Sequence, residues 1–119
     1  MTTHEIAAAF AALCKQGKHA EAGARFWSDD IVSVEAMEGP MAVLKGRDAV
    51  RGKGEWWESS HEMHSGATQG PYVNGDQFML HFDMDITEKA SGKRTQMREI
   101  GLYSVKDGKV VQEIFFYGV

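Results

Sequence analysis

Glu99 is the side chain whose neighbours best suit it to chemistry. It lies in a strand-like run beside Ile100, Leu102 and Tyr103. A carboxyl desolvated by such neighbours has its pKa raised toward neutrality, where it can serve as acid or base. The plainer alternative is a salt bridge or a solvent-facing position. Glu38, in the turn Glu38-Gly39-Pro40, and the nearby Glu35 are two further carboxylates that could reach the same space. Turn carboxylates are more often simply solvated. His61-Glu62-Met63-His64 lacks the i, i+4 spacing of a two-histidine metal helix, and on a strand its imidazoles point to opposite faces. His64, the deeper of the two in that run, is the candidate proton carrier, because imidazole titrates near neutral pH. His81, Asp83 and Asp85 share one strand face, but same-face neighbours stand roughly 7 Å apart, too far to close on one cation. That trio is expected on the outer face. No metal and no cofactor is expected. Gly52-Lys53-Gly54 lacks both the preceding strand and the remaining glycine of a phosphate cradle. Cys14 reads as a small core residue.

These side chains need elements to position them. Thr2 and Glu5 have capping-box spacing, and Ile6, Ala9/Phe10 and Leu13 recur at helical period up to Gly17. A second helix is expected from Lys18 to Trp27, broken by Ser28-Asp29-Asp30. Short strands follow at Ile31–Glu35 and Met41–Leu44. Gly46-Arg47-Asp48 then opens a third helix with Val50, Gly54 and Trp57 on one face. Gly52 and Gly54 weaken that helix by roughly 1 kcal/mol each against Ala, so packing or a close backbone approach must hold it. Beyond it the chain reads as strands: Glu62–Thr68, a Gly70-Pro71 break, Tyr72-Val73, the Asn74-Gly75-Asp76 turn, Phe78–Thr87, a loop Glu88–Lys93, Thr95–Val105 and Val110–Tyr117.

Asp107-Gly108 is the strongest hairpin signal. A tight turn there pairs Lys106 with Lys109 and sets Glu99 opposite Phe116, Gly101 opposite Ile114 and Tyr103 opposite Gln112. Arg98, Ile100, Leu102, Glu113, Phe115 and Tyr117 then share the other face. A one-residue bulge would bring Glu113 instead of Gln112 to the Glu99 face. Large apolar groups on both faces mean that both are covered, one by helices and the other by a second copy, a homodimer through the outer sheet face.

The 119 residues are read as one domain, 1–119, and 43% of them are hydrophobic, enough for a genuine core. Net charge is −4 with no Lys/Arg block, so nucleic acid is not an expected partner. Ile6–Leu13 is too short to span a bilayer. With a single cysteine the expected setting is soluble and cytoplasmic.

The runs Phe26-Trp27-Ser28-Asp29-Asp30-Ile31-Val32, Gly46-Arg47-Asp48-Ala49-Val50-Arg51 and Asp107-Gly108-Lys109-Val110-Val111 with Phe115-Phe116 resemble SnoaL-like proteins of the nuclear-transport-factor-2-like superfamily. The resemblance extends over essentially the whole chain. It implies an α+β, cystatin-like cone of three helices on a curved antiparallel sheet enclosing a pocket, usually dimeric. Such motifs keep a fold more than they carry an activity. The superfamily includes ketosteroid isomerase, dehydratases, polyketide cyclases, epoxide hydrolases and non-catalytic binding proteins. Ketosteroid isomerase uses a Tyr, a protonated Asp and an Asp base. Here the protonated Asp aligns with Glu99, the Tyr with Phe10 and the base with Ala36, so two of the three roles are lost and Glu99 is expected to face the cavity. Glu38 stands two residues from the position of the base.

In such a cone Trp57, Phe82, Met84, Tyr103, Phe116 and Phe10 are expected to line the pocket, although such residues are most often core. The expected function is to hold a small apolar organic molecule. Cofactor-independent acid/base chemistry is one form (isomerase, dehydratase, cyclase or hydrolase), with Glu99 as main group and His64 or Glu38 as partner. A non-catalytic carrier is the alternative.

Overall fold

The computed structural model describes residues 1–118. Helix α1 (Thr3–Lys15) starts at the expected capping box: Glu5 N–H donates to Thr2 Oγ1 at 3.1 Å, and Thr2 N–H donates to Glu5 Oε1 at 2.9 Å. Its apolar stripe of Ile6, Ala7, Phe10, Ala11 and Cys14 is buried. Helix α2 (His19–Phe26) passes straight into strand β1 (Trp27–Val34), so Ser28-Asp29-Asp30 ends the helix by starting a strand. After β2 (Val43–Lys45), Gly46 takes φ +92°, a conformation that favours glycine, and caps helix α3 (Arg47–Ser60). Gly52 and Gly54 face open space rather than a close neighbour. The helix is docked instead by Arg47, whose guanidinium donates to Trp27 O at 2.5 Å and Ala24 O at 2.6 Å, joining α3 to the end of α2.

Strands β3 (His61–Asn74), β4 (Gln77–Glu88), β5 (Lys93–Lys106) and β6 (Lys109–Phe116) form an antiparallel meander. Gly70-Pro71 does not split β3. It sits in a register irregularity between Gln69 and Tyr72, and pairing to β4 resumes beyond it. The six strands lie in the order β2-β1-β6-β5-β4-β3. β1 runs parallel to β6, so the sheet is mixed rather than wholly antiparallel. The helices pack on one face, giving the α+β cone. Its core is continuous from Ile6 and Phe10 through Phe26, Ile31 and Val50 to Phe78, Leu80, Phe82, Met84 and Tyr103. Among the described residues no helix is long and apolar enough to cross a membrane.

The Asp107-Gly108 turn forms as expected, with φ of 52° and 75°, and Lys106 pairs with Lys109. Then the register slips. Val105 pairs with Val110 but Ser104 pairs with Gln112, leaving Val111 as an extra residue. Because side chains alternate, that one residue exchanges the two faces of β6 from there on. Glu113 and Phe115 therefore join Glu99, Gly101 and Tyr103 on the inner face. Gln112, Ile114 and Phe116 turn outward with Ile100 and Leu102. The expectation that Phe116 lines the interior is corrected: it is 50% exposed.

Candidate functional site

Inside the cone the register aligns polar side chains from four elements. Ser33 on β1 lies opposite Glu113 on β6, which lies opposite Tyr103 on β5. Glu113 is only 4% exposed, yet both its oxygens are satisfied. Trp27 Nε1–H donates to Oε1 at 2.9 Å and Ser33 Oγ–H to Oε2 at 2.7 Å. Lys53 Nζ, reaching down from α3, donates to Ser33 Oγ at 2.6 Å and forms an ion pair with Glu35 Oε1 at 2.8 Å. Tyr117 donates to the other Glu35 oxygen at 3.0 Å. The ammonium also lies 5.5 Å from the centre of the Phe115 ring, within cation–π range. Trp27 can reach Glu113 because it packs over Gly23, where a Cβ would stand 2.6 Å from the indole. Burial pushes the Glu113 carboxyl up from its ordinary value against the lowering influence of its Ser33 bond and of Lys53. Burial, then Glu35, pushes the Tyr117 hydroxyl up to about 12.

Glu99 stands beside this hydrogen-bonded chain without belonging to it. It is half-buried, paired across strands with Phe82. Burial first, then the negative charge of Glu35, pushes its carboxyl from 4.5 up to about 7, against the opposing pull of Lys53. Three carboxyls share one ammonium here, so the least hydrogen-bonded of them holds its proton longest. Two residues along, Gly101 has no side chain, and the Tyr103 ring fills the space, its hydroxyl 2.7 Å from where a Gly101 Cβ would stand. Phe78 stacks on that ring at 4.9 Å and Phe10 closes it from α1 at 4.8 Å. A carboxyl that exchanges its proton near neutral pH, set among aromatic walls and next to a fixed ammonium, can donate or accept a proton and can orient a polar atom of a bound molecule.

Phe10, Phe82, Met84 and Tyr103 are buried together in the core, and Trp57 packs half-buried against it. His64 and Glu38 lie elsewhere. His64 is exposed, its Nε2 2.7 Å from Thr87 Oγ1, because an irregularity in β3 between Met63 and Ser65 turns it outward. Glu38 is exposed in the β1–β2 turn. Of the two carboxylates near that turn, Glu35 is the one brought to Glu99. His61, not His64, reaches the α3 aromatics, stacking on Trp57 at 4.5 Å. Asp83 and Asp85 carry ion pairs with Arg98 and Arg94, as an outer-face position implies. Lys53, Ser33, Trp27 and Tyr117 were missed from sequence. Val50, Lys53 and Trp57 recur at helical spacing, and Ile31, Ser33 and Glu35 alternate, so both periods carried a signal.

Among the described residues no group of three or more His, Cys, Asp or Glu is placed to hold a metal ion. Two surface depressions are described. One, of about 540 Å³, lies against Asp29 and the start of α3. The other, of about 280 Å³, lies between Tyr72, Met79 and Leu102. Neither is lined by Glu99, whose surroundings form a packed polar cluster in this conformation.

The SnoaL-like domain family model matches residues 1–117. No curated protein matches. Among solved structures, a Mesorhizobium loti protein described as a candidate SnoaL-like polyketide cyclase, with carbohydrate phosphatase in brackets, is 55% identical. It superposes with a TM-score of 0.96 over 98% of this chain and 100% of its own. A candidate isomerase from Bacillus subtilis shares the fold at 15% identity, with a TM-score of 0.77 over 99% of this chain and 90% of that one. A Catenulispora acidiphila protein with a ketosteroid isomerase-like fold, solved with trimethylamine, does so at 18% identity. Its TM-score is 0.74 over 97% of this chain and 86% of that one.

Proposed function

The chain belongs to the SnoaL-like domain family, and from that premise we propose that it holds a small, largely apolar organic molecule inside its cone and performs acid/base chemistry on it at Glu99. The observation that carries this reading is the Glu99 carboxyl, raised to about 7 by burial and by Glu35. At neutral pH it is divided between acid and base, so it can take a proton from one atom of a substrate and return it to another, as isomerisation, dehydration or ring closure requires. Lys53, fixed by Glu35 and Ser33, keeps the site's charge from pushing Glu99 higher. The proton acceptor is a side chain, so the reaction needs no cofactor.

One observation favours a carrier instead. Glu35, Glu113, Ser33 and Lys53 already satisfy one another, which leaves Glu99 as a single anchor, enough for binding. Native mass spectrometry of freshly purified protein, followed by denaturation, tests both readings. A released small molecule whose carbon skeleton is changed by wild type but not by Glu99→Gln supports the enzyme. Release of an unchanged molecule supports the carrier. A passenger held and processed equally by Glu99→Gln contradicts both.

The outer sheet face supports a homodimer. Tyr72, Met79, Leu102 and Ile114 form one cross-strand row, with His81, Ile100 and Phe116 in the next. The His81 Nδ1 atom is buried there without a partner. Such an exposed apolar patch marks a contact surface. Sedimentation should give twice the monomer mass and Leu102→Lys should halve it; a wild-type monomer at micromolar concentration contradicts this reading. Buried, unpaired Cys14 fits a cytoplasmic setting.

A further inference from the structure

We infer that the Tyr117 ring is a plug beside Glu99, latched by its hydroxyl to Glu35, and that a ligand enters by swinging the ring out and giving Glu35 a hydrogen-bond donor of its own. The inference deepens the reading of Glu99 as the ligand's site and rests on it.

The β6 register sets the plug. Gly101 pairs with Phe115 and Ile100 with Phe116, so one further step along each chain puts Tyr117 opposite Glu99. The extra residue Val111, which turns Glu113 and Phe115 inward, turns Tyr117 inward with them. Its hydroxyl donates to Glu35 Oε2 at 3.0 Å, and the same oxygen meets the Ala36 backbone amide. The charges of Glu35 and Glu99 both act on that hydroxyl, so the phenol lies within reach of both carboxyls.

Of the walls around Glu99 this one is free to move. Phe82, across the ladder on β4, is 5% exposed, and Tyr103 on β5 is 2% exposed; regular strands hold both. Tyr117 lies past Phe116, where β6 ends, and is half-buried, with exposed Gly118 after it. Glu35 does not need it for its own position, because Lys53 holds the other oxygen at 2.8 Å. Releasing the latch therefore breaks one side-chain hydrogen bond and leaves the ion pair intact. It strips a part-buried carboxylate oxygen of its donor, which costs stability unless the incoming molecule replaces it. Burial, then Glu35, pushes the Tyr117 hydroxyl up to about 12, so the latch keeps its proton through neutral pH. The two described depressions lie away from Glu99, as a closed plug requires: the ring fills the space that the ligand takes.

The test uses full-length protein labelled with fluorotyrosine, the Tyr117 signal being the one that Tyr117→Phe removes. The probe is p-cresol, with toluene as its hydroxyl-free control. On adding p-cresol, the Tyr117 fluorine signal should move to the position of a solvent-exposed tyrosine. Tyr117→Ala, which has no plug to open, should bind p-cresol about tenfold more tightly than wild type. It should bind toluene about tenfold more weakly than p-cresol, the worth of one hydrogen bond. Tyr117→Phe keeps the ring without the latch, and its affinity for p-cresol should fall between those of wild type and Tyr117→Ala. Binding with the fluorine signal unmoved, or equal affinity in wild type and Tyr117→Ala, would overturn the plug and leave the reading of Glu99 standing. Equal affinity of Tyr117→Ala for p-cresol and toluene would overturn the hand-over to Glu35. If Tyr117→Ala fails to fold, the wild-type signal and Tyr117→Phe decide by the same comparison. Absence of p-cresol binding by every variant would overturn the inference as well. The reading of Glu99 falls separately, by a carboxyl that titrates near 4.5 instead of about 7.

Discussion

Replacing Glu99 by Gln should stabilise the protein, and the gain should grow with pH. Its carboxyl rises from 4.5 to about 7 on folding, chiefly through burial. An acid whose folded pKa is raised binds its proton more tightly folded than unfolded. The stability that goes with that proton is complete below the unfolded value and is lost as pH rises through about 7. At about 1.4 kcal/mol per unit, the loss approaches 3 kcal/mol by pH 8, trimmed where water reaches the half-buried side chain. Gln keeps the shape and has no proton to lose. Thermal unfolding followed by circular dichroism from pH 4.5 to 8.5 should show the two proteins melting together at the acid end. At the alkaline end Glu99→Gln should melt higher, by about 10 °C for a chain of this size. Glu113, also raised by burial, is present in both and cancels in the difference. A difference independent of pH, or one in which wild type gains on the variant as pH rises, would refute the reasoning.

Gly23→Ala tests how the network is held. Ala in a helix is normally better than Gly by up to about 1 kcal/mol, but here its Cβ would stand 2.6 Å from the Trp27 ring. A net loss of about 2 kcal/mol in urea unfolding, with altered indole fluorescence, is expected. Lys53→Met should cost about 3 kcal/mol at pH 8, because it leaves Glu35 and Glu113 uncompensated, and the cost should shrink toward pH 5 as Glu99, whose charge Lys53 also offsets, protonates through about 7; chemical denaturation at both pH values measures it. The β6 register predicts unequal neighbours. Phe115→Ala, facing Tyr103 at 6.3 Å, should lower stability by about 3 kcal/mol in the same assay. Phe116→Ala, half-exposed on the outer face, should lower it by under about 1 kcal/mol in a monomer.

Local signals carried the fold. The Thr2/Glu5 capping box, the Asp107-Gly108 turn and the alternation from Phe78 to Ile86 are each written within a few residues, and each formed where its chemistry said. The β6 faces were not legible in the same way. The turn fixes the first pair, but the extra residue Val111 depends on how β6 meets both β5 and β1, and no short stretch records a parallel pairing some 80 residues apart. That single slip decides whether Gln112 or Glu113 enters the site and whether Phe115 or Phe116 packs inside. Glu99 could be found because its own neighbours are apolar. Lys53 was harder to see, since Gly52-Lys53-Gly54 was weighed only as a phosphate cradle and rejected, although Val50 and Trp57 at helical spacing mark its face. His64 was preferred to His61 for its greater depth in the run, but depth along a strand does not fix the face, and β3 is irregular there.

The most direct measurement is a carbon-13 NMR titration of the Glu99 side-chain carboxyl in the wild-type protein, assigned by its disappearance in Glu99→Gln. A midpoint near 7 is the expected result and would establish a proton-exchanging carboxyl inside the cone at neutral pH. A midpoint near the ordinary 4.5 would mean a hydrated, fully ionised Glu99, and would contradict the acid/base role assigned to it.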